Sequence, residues 1–239
     1  MRVSGGCIHN LCNFAARYFT LKIMRKYTLV LFSLMLCLMS FAQHVQVSQS
    51  DFQKVSVTFT PGTLSVENVA RQEGDFSTIS MDGYQSSNNP GEPMLPVLAK
   101  LLQIPVCDSV IVTVVGSEYT DYTAAELGIA HPLFPSQPSV SKSAVNPPFA
   151  YNQTVYATDA FYALPLVRVE KAGVKRDAAL ANIHVSPVQY NPVTGKVRVY
   201  TRLELAFTFA NADLAATSAL RKYASPMFSL SREQVINKM

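Results

Sequence analysis

Residues 185–200 read Val185-Ser-Pro-Val-Gln-Tyr-Asn-Pro-Val-Thr-Gly-Lys-Val-Arg-Val-Tyr200, two β-patterned runs on either side of an Asn-Pro-x-x-Gly turn. Asn191-Pro192 supplies a restricted φ and Gly195 a permissive one, as a tight chain reversal requires. Beyond the turn the sequence alternates. Val197, Val199, Thr201, Leu203, Leu205, Phe207 and Phe209 fall on one side, and Lys196, Arg198, Tyr200, Arg202, Glu204 and Thr208 on the other. Successive side chains of a pleated strand face opposite ways, so this pattern predicts a long half-buried strand.

Working outward, further runs carry the same signature. Lys54–Thr60 alternates and Pro61-Gly62 turns the chain into Leu64–Val69, which predicts an opening hairpin. Gln72–Asn89 is polar and turn-rich, with a short strand expected around Phe76–Met81. Leu95–Ile104 and Ser109–Val115 read as strands, the second apolar on both faces and therefore expected at a sheet centre. Phe161–Glu170, Asn182–Gln189 and Lys196–Phe209 complete the set. Many strands, turn signals between them and no alternating helices indicate an all-β fold, an antiparallel β-sandwich of jelly-roll type in one domain. Asp213–Tyr223, rich in Ala and Leu, predicts a short C-terminal helix, and Ser231 with Gln234 fits a capping box opening a last helical turn.

The N-terminus has the organisation of an export signal. Arg25-Lys26 form a basic region, Thr28–Met39 an apolar core of about a dozen residues, and Ser40-Phe41-Ala42 a small-x-small site, with cleavage expected between Ala42 and Gln43. A membrane span needs about 20 apolar residues, so no stable anchor is expected after cleavage. Met24 is the better start, because the basic region begins there. The expected domains are thus residues 1–42, an N-terminal extension plus signal, and residues 43–239, the sandwich. The expected location is secreted or periplasmic.

The leader carries five of the 20 basic residues and none of the 16 acids, so the rest of the chain is close to neutral despite its overall charge of +4. With no basic stripe interleaved with aromatics, no nucleic-acid partner is expected. Cys7, Cys12 and Cys37 lie in the leader, and Leu36 before Cys37 argues against lipoprotein cleavage. Cys107 is then a lone thiol, and the exported domain must be held by its core and not by a disulfide.

Candidates for catalysis are thin. Cys107 with His131 or His184 could form a cysteine-protease dyad, since a thiolate needs a nearby imidazole, but Cys107 follows a strand end and His184 lies in an alternating strand, where packing or surface roles suffice. His9, His44, His131 and His184 are far apart and no metal-ligand spacing appears, so neither catalytic residues, a metal nor a cofactor is expected. Asn152-Gln153-Thr154 has the glycosylation pattern and reads as ordinary surface. One segment stands apart. Between Tyr122 and Tyr156 lie Pro132, Pro135, Pro138, Pro147 and Pro148. Proline cannot donate to a ladder, and a long non-regular segment inside a compact domain tends to be functional.

Two stretches also carry a family likeness. Pro187-Val-Gln-Tyr-Asn-Pro-Val-Thr-Gly195 with Val197-Arg-Val-Tyr200, and upstream Gly91-Glu-Pro-Met-Leu-Pro-Val-Leu98, closely resemble the N-terminal prodomain of gingipains. These are secreted Arg- and Lys-specific cysteine proteases of the C25 type, found in Bacteroidetes. The resemblance runs from about Val55 to the C-terminus. It implies a propeptide that keeps a protease latent as a zymogen and assists its folding, with the catalytic Cys and His in a separate, larger domain. The expected partner is therefore a C25-type catalytic domain, in cis or in trans. The resemblance further implies that a basic residue on a proline-bracketed loop enters the acidic specificity pocket. Here the corresponding residues are Val140, Ser141, Lys142, Ser143 and Ala144. Lys142 is the one Lys or Arg between Lys100 and Arg168.

Two alternatives stay open on the sequence alone. Lys142 could be an ordinary solvated lysine. The whole domain could instead be an exported module that binds cell-surface glycan or protein through Tyr119, Tyr122, Tyr151 and Tyr156. A chain ending where such a prodomain ends is expected to be either a free-standing inhibitor or chaperone, or part of a protease precursor; a downstream reading frame would decide.

Overall fold

The alternating run beyond the Asn-Pro turn becomes a 14-residue strand, Val197–Ala210, around which the architecture is arranged. The computed structural model of the chain describes residues 45–141, 147–224 and 235–237. Within these the strands in chain order are β1 (Val45–Ser50), β2 (Lys54–Phe59), β3 (Leu64–Arg71), β4 (Gly74–Met81), β5 (Gln85–Ser86), β6 (Pro96–Ile104), β7 (Ser109–Tyr122), β8 (Tyr162–Ala163), β9 (Val167–Lys175), β10 (Ala178–Val185), β11 (Val188–Tyr190) and β12 (Val197–Ala210). The helices are α1 (Ala124–Leu127), α2 (Gln153–Ala157) and α3 (Leu214–Leu220), the last followed by a 3₁₀ turn at Arg221–Tyr223. The Ser231/Gln234 capping box lies outside the described residues.

One sheet has the order β1-β2-β12-β11-β8, with β7 along the other edge of β12; a second runs β5-β6-β10-β9; β3 and β4 form a hairpin. All named strand pairs are antiparallel. Between the two large sheets lies one core. Val55, Val57 and Phe59 of β2 with Leu203, Leu205 and Phe207 of β12 meet Leu98, Leu102 and Ile104 of β6 and Ala181, Ile183 and Val185 of β10. The fold is an antiparallel β-sandwich with a short C-terminal helix, as the patterning indicated. A second core gathers Ile79, Met81, Leu95, Ile129, Leu133, Val188, Tyr190, Val197 and Val199 under the β3–β4 hairpin.

The decisive turn forms as read. The Asn191 side-chain oxygen accepts from the N–H groups of Val193 (3.0 Å) and Thr194 (3.1 Å), and Gly195, at φ +67°, donates to the Asn191 carbonyl (2.9 Å). Thr201, expected inward, sits at a pairing irregularity between Tyr200 and Arg202 and is exposed.

Other expectations fail as well. The opening hairpin does not form: β2 pairs with β1 and β12, whereas β3 pairs with β4. Both edges of β2 are taken by β1 and β12, so none is left for β3, and residues 60–63 carry the chain to the β3–β4 hairpin instead. Strand Ser109–Val115 extends to Tyr122 as β7 and, among the described residues, pairs with β12 alone, leaving Ile111 and Val115 exposed. Its β-branched residues suit extended backbone whether or not both faces are covered. Only Val110 and Val112 pack on the first core. The expected strand Asn182–Gln189 is split at Ser186-Pro187 into β10 and β11, which belong to different sheets.

The C-terminal end closes one side of the sandwich. Val235 bridges Leu101 of β6 in parallel, and the Asn237 carboxamide accepts from Gln103 N–H (2.8 Å) while donating to Gln103 C=O (3.0 Å) and Ser50 Oγ (3.0 Å). Asp213 caps α3 by accepting from Ala216 N–H, 2.8 Å away. No helix among the described residues is long and apolar enough to cross a membrane.

Candidate functional site

The proline-rich segment is not one long loose loop. It starts with α1, which Thr123 and Glu126 cap reciprocally: Glu126 N–H donates to Thr123 Oγ1 (3.3 Å) and Thr123 N–H to Glu126 Oε2 (2.7 Å). This Thr-x-x-Glu capping box is a legible signal in the sequence, although no helix was expected here. The Thr123 N–H and, at 2.8 Å, the Thr123 hydroxyl both donate to Glu126 Oε2 and hold its carboxyl below the usual range.

From Ile129 to Gln137 the chain is tied to the body. Ile129 and Leu133 are buried in the second core. Pro132 C=O accepts from Ser77 N–H (3.0 Å) and Phe134 N–H donates back to Ser77 C=O (2.8 Å), so residues 132–134 lie parallel beside β4. The buried Ser77 hydroxyl donates to Asn68 Oδ1 (2.6 Å) and accepts from His131 N–H (3.0 Å). Residues 91–94, the first half of the second resemblance stretch, form the facing platform. Gly91 N–H donates to Ser136 C=O (2.7 Å), Ser136 N–H to Glu92 C=O (2.9 Å) and Met94 N–H to Phe134 C=O (3.0 Å). Gly91 itself is at φ +83°, with Asn152 N 3.1 Å from where a Cβ would sit, and its carbonyl accepts from that N–H at 2.9 Å. A side chain there would push the returning strand off the platform.

The loop thus leaves the body at Gln137 and re-enters at Ala150. Phe134 on the outgoing side and Phe149 on the returning side have centroids 5.9 Å apart, and both pack on Phe76, at 5.4 and 5.8 Å. Pro138, Ser139, Val140, Ser141, Pro147 and Pro148 are exposed. Of the inhibitory-loop residues, Val140 and Ser141 therefore lie on the exposed outgoing stem, whereas Lys142, Ser143 and Ala144 lie outside the described residues, as do Ala42 and Gln43. Residues 129–137 are part of the sandwich wall, and the excursion begins at Pro138. Sequence reading missed this because Leu133 and Ser136, both buried, are isolated by prolines from any periodic pattern.

The other candidates fall into place. Cys107 faces the first core, and burial pushes its thiol pKa up, away from the thiolate a nucleophile needs. His184 points to the opposite side of its sheet from core residues Ile183 and Val185, and His131 belongs to the loop over the second core. The structure brings neither imidazole to the thiol. Asn152 of the glycosylation pattern caps α2, accepting from Val155 N–H at 3.3 Å. The four tyrosines do not make one face. Tyr119 lies exposed against Tyr200 on the β7–β12 ribbon, whereas Tyr156 is buried, stacked on Tyr151 at 4.4 Å, and its hydroxyl donates to Leu133 C=O. Tyr156 therefore pins the loop root, and burial raises its pKa well above the usual tyrosine range.

The sequence model of the Propeptide_C25 family matches residues 41–230. Lys-gingipain HG66 of Porphyromonas gingivalis is 28% identical over 229 residues, covering 90% of this chain and 13% of that protein. Gingipain R2 of the same species is 27% identical over 190 residues, covering 75% of this chain and 25% of that protein. The chain thus spans a small part of the curated relatives it matches. A solved structure concerned with the zymogenic latency of gingipain K superposes with a TM-score of 0.66 at 27% identity, covering 73% of this chain and 96% of that one. The complex of the RgpB pro- and mature domains gives 0.60 at 21% identity, covering 75% and 95%, a likeness of fold.

Proposed function

The chain belongs to the Propeptide_C25 family, and from that premise we propose that it is a non-catalytic, exported prodomain that inhibits a C25-type cysteine protease and assists its folding, in cis or in trans. Export follows cleavage between Ala42 and Gln43 to a secreted or periplasmic location, and residues 43–239 form the working domain. The inhibitory residue is Lys142, flanked by Val140, Ser141, Ser143 and Ala144.

The observation that carries this reading is the build of the loop: exposed stems at Pro138–Ser141 and Pro147–Pro148 rise from a root fixed by Leu133, Ser136, Phe134 and Phe149. Stems that are held before docking lose less conformational entropy on binding. An ammonium on a long stem suits a deep pocket ending in a carboxylate, and such a pocket rejects uncharged residues because its buried acid would go unpaired.

The test is a titration of mature Lys-gingipain and mature gingipain R2 with the purified protein. Saturable inhibition is expected, strongest with the Lys-specific enzyme, together with a large loss on Lys142→Ala at an unchanged thermal midpoint. No inhibition of either enzyme refutes the function; equal potency of Lys142→Ala removes that residue from it.

A further inference from the structure

The outer face of the β5-β6-β10-β9 sheet carries a cleft that the inhibitory reading does not use. His184 of β10 stands opposite Arg168 of β9 on one side and Ala99 of β6 on the other, so the three side chains form a row across the sheet. The row lies away from the first core, because His184 alternates with Ile183 and Val185, which are buried there. Residues 85–89, β5 and the turn after it, stand beyond β6, and the cleft so formed has a volume of about 370 Å³. Its walls are held before any ligand arrives. Ser87 N–H donates to Leu95 C=O (2.8 Å), the Ser87 hydroxyl oxygen accepts from Leu95 N–H (3.0 Å), and the Ser87 carbonyl accepts from the Ser136 hydroxyl (2.7 Å). The Asn89 carboxamide donates to Glu92 Oε2 (3.0 Å) and to the Tyr162 hydroxyl (3.3 Å), which leaves its oxygen to accept from a ligand.

Two kinds of surface line this cleft. Val97, Ala99, Leu164 and Pro165 are apolar, whereas residues 85–89 present amides and hydroxyls. Amides and hydroxyls both donate and accept, as the hydroxyls of a sugar do, and a pyranose ring has in addition an apolar C–H face that needs such a patch. The volume is near the lower end of small-ligand sites, about 300–1,000 Å³, and suits one ring better than an extended chain. Charge then selects among sugars. No carboxylate is among the described residues that line the cleft, while Arg168 and His184 both offer N–H donors. The Arg168 ion pair with Glu170 (3.3 Å) engages Nε, and both side chains are more than half exposed, so it competes weakly for the guanidinium. A planar guanidinium matches a carboxylate with two parallel hydrogen bonds. We propose that this cleft binds a sugar unit bearing a carboxylate, of the uronic-acid type, with Arg168 and His184 on the carboxylate, Asn88 and Asn89 on the ring hydroxyls and Ala99 beneath the ring. The inference does not rest on the inhibitory function, and either can fail alone.

The experiment titrates the purified, isotope-labelled protein with methyl glucuronide, methyl glucoside, acetate and N-acetylglutamate amide in turn, followed by amide NMR. Methyl glucuronide is expected to give saturable shifts at Ser86–Asn89, Ala99, Arg168 and His184. Methyl glucoside and acetate, each of which keeps only part of the contacts, should bind at least about tenfold more weakly. Arg168→Gln, at an exposed position, should weaken the glucuronide at least about tenfold at an unchanged thermal midpoint and leave the glucoside within about twofold of wild type. Ala99→Leu, which fills the space beneath the ring, should abolish binding of both; should it lower the thermal midpoint, Arg168→Gln alone decides. Acetate as tight as the glucuronide would make the cleft a plain anion site and overturn the sugar assignment. N-acetylglutamate amide tighter than the glucuronide would overturn it in favour of an acidic peptide. Unchanged affinity of Arg168→Gln, shifts confined to other surfaces, or no saturable shifts at all would overturn the site.

Discussion

Gly91→Ala should be the most informative single substitution outside the loop itself. Two costs add. An L-residue at φ +83° pays about 1–2 kcal/mol for the left-handed backbone. The new Cβ would then sit 3.1 Å from Asn152 N and 3.4 Å from Tyr151 C, so backbone atoms must move. That movement strains the Asn152 N–H to Gly91 C=O bond and, through Asn152, the α2 cap, adding about 1–2 kcal/mol. The sum, about 2–4 kcal/mol, corresponds to a fall in thermal midpoint of about 5–15 °C in a domain of this size. Gly83→Ala provides the control, because Gly83 is at φ +76° and a methyl group added there would meet nothing within 4 Å; it should pay the backbone cost alone, about 1–2 kcal/mol. Urea unfolding monitored by tyrosine fluorescence measures both. Equal losses for the two variants would refute the argument that close approach at Gly91 fixes the loop root.

Three further outcomes follow from the same structure. Arg198 holds Asp121 through Nε–Oδ1 (2.7 Å) and Nη2–Oδ2 (2.9 Å) and lies 4.1 Å from the Tyr119 ring centre, keeping the Asp121 carboxyl below its usual range. A carboxylate with lowered pKa stabilises the fold above its unfolded pKa and loses that contribution as pH falls through the folded value. Arg198→Ala should therefore cost about 1 kcal/mol at pH 7, given the partial exposure of the pair, and progressively less as pH falls below the ordinary carboxylate value, as read from urea midpoints across pH; a pH-independent loss would show that ring contact and not charge is at stake. Asn237→Ala should cost about 1–3 kcal/mol, because Gln103 loses both partners that the carboxamide supplies; unchanged stability in urea would mean the C-terminal strap does not hold the sandwich. Cys107, buried and with its pKa raised by burial, should react with a thiol reagent only on unfolding; rapid labelling of the native protein would refute its place in the core.

Local chemistry was legible wherever a residue's role depends on its immediate neighbours. Asn191 and Gly195 form their turn by hydrogen bonds within five residues, and β12 shows its buried face in plain alternation. What depends on distant partners was not. Nothing within Ser109–Val115 says that β12 flanks it on one side only, because extended backbone and two-sided burial favour the same β-branched residues. Nothing beside Leu64 says that it will pair with Met81 and not fold back on Phe59. The loop shows both limits. Its prolines announced a special segment, but Gln137 and Ser136 take their roles from Ala150, Ser87 and Gly91, and only the folded chain brings these together.

The central claim, that the exposed stem of this loop enters a protease active site, can be tested by a photo-crosslinking residue placed at Val140, which is 53% exposed, with Val174, 58% exposed on β9, as the control position. Mixed with mature Lys-gingipain, the probe at 140 should crosslink to residues lining the catalytic cleft and be displaced by an active-site-directed inhibitor, while the probe at 174 should not. Crosslinks from 140 that map away from the cleft, or that persist when the cleft is blocked, would contradict the account.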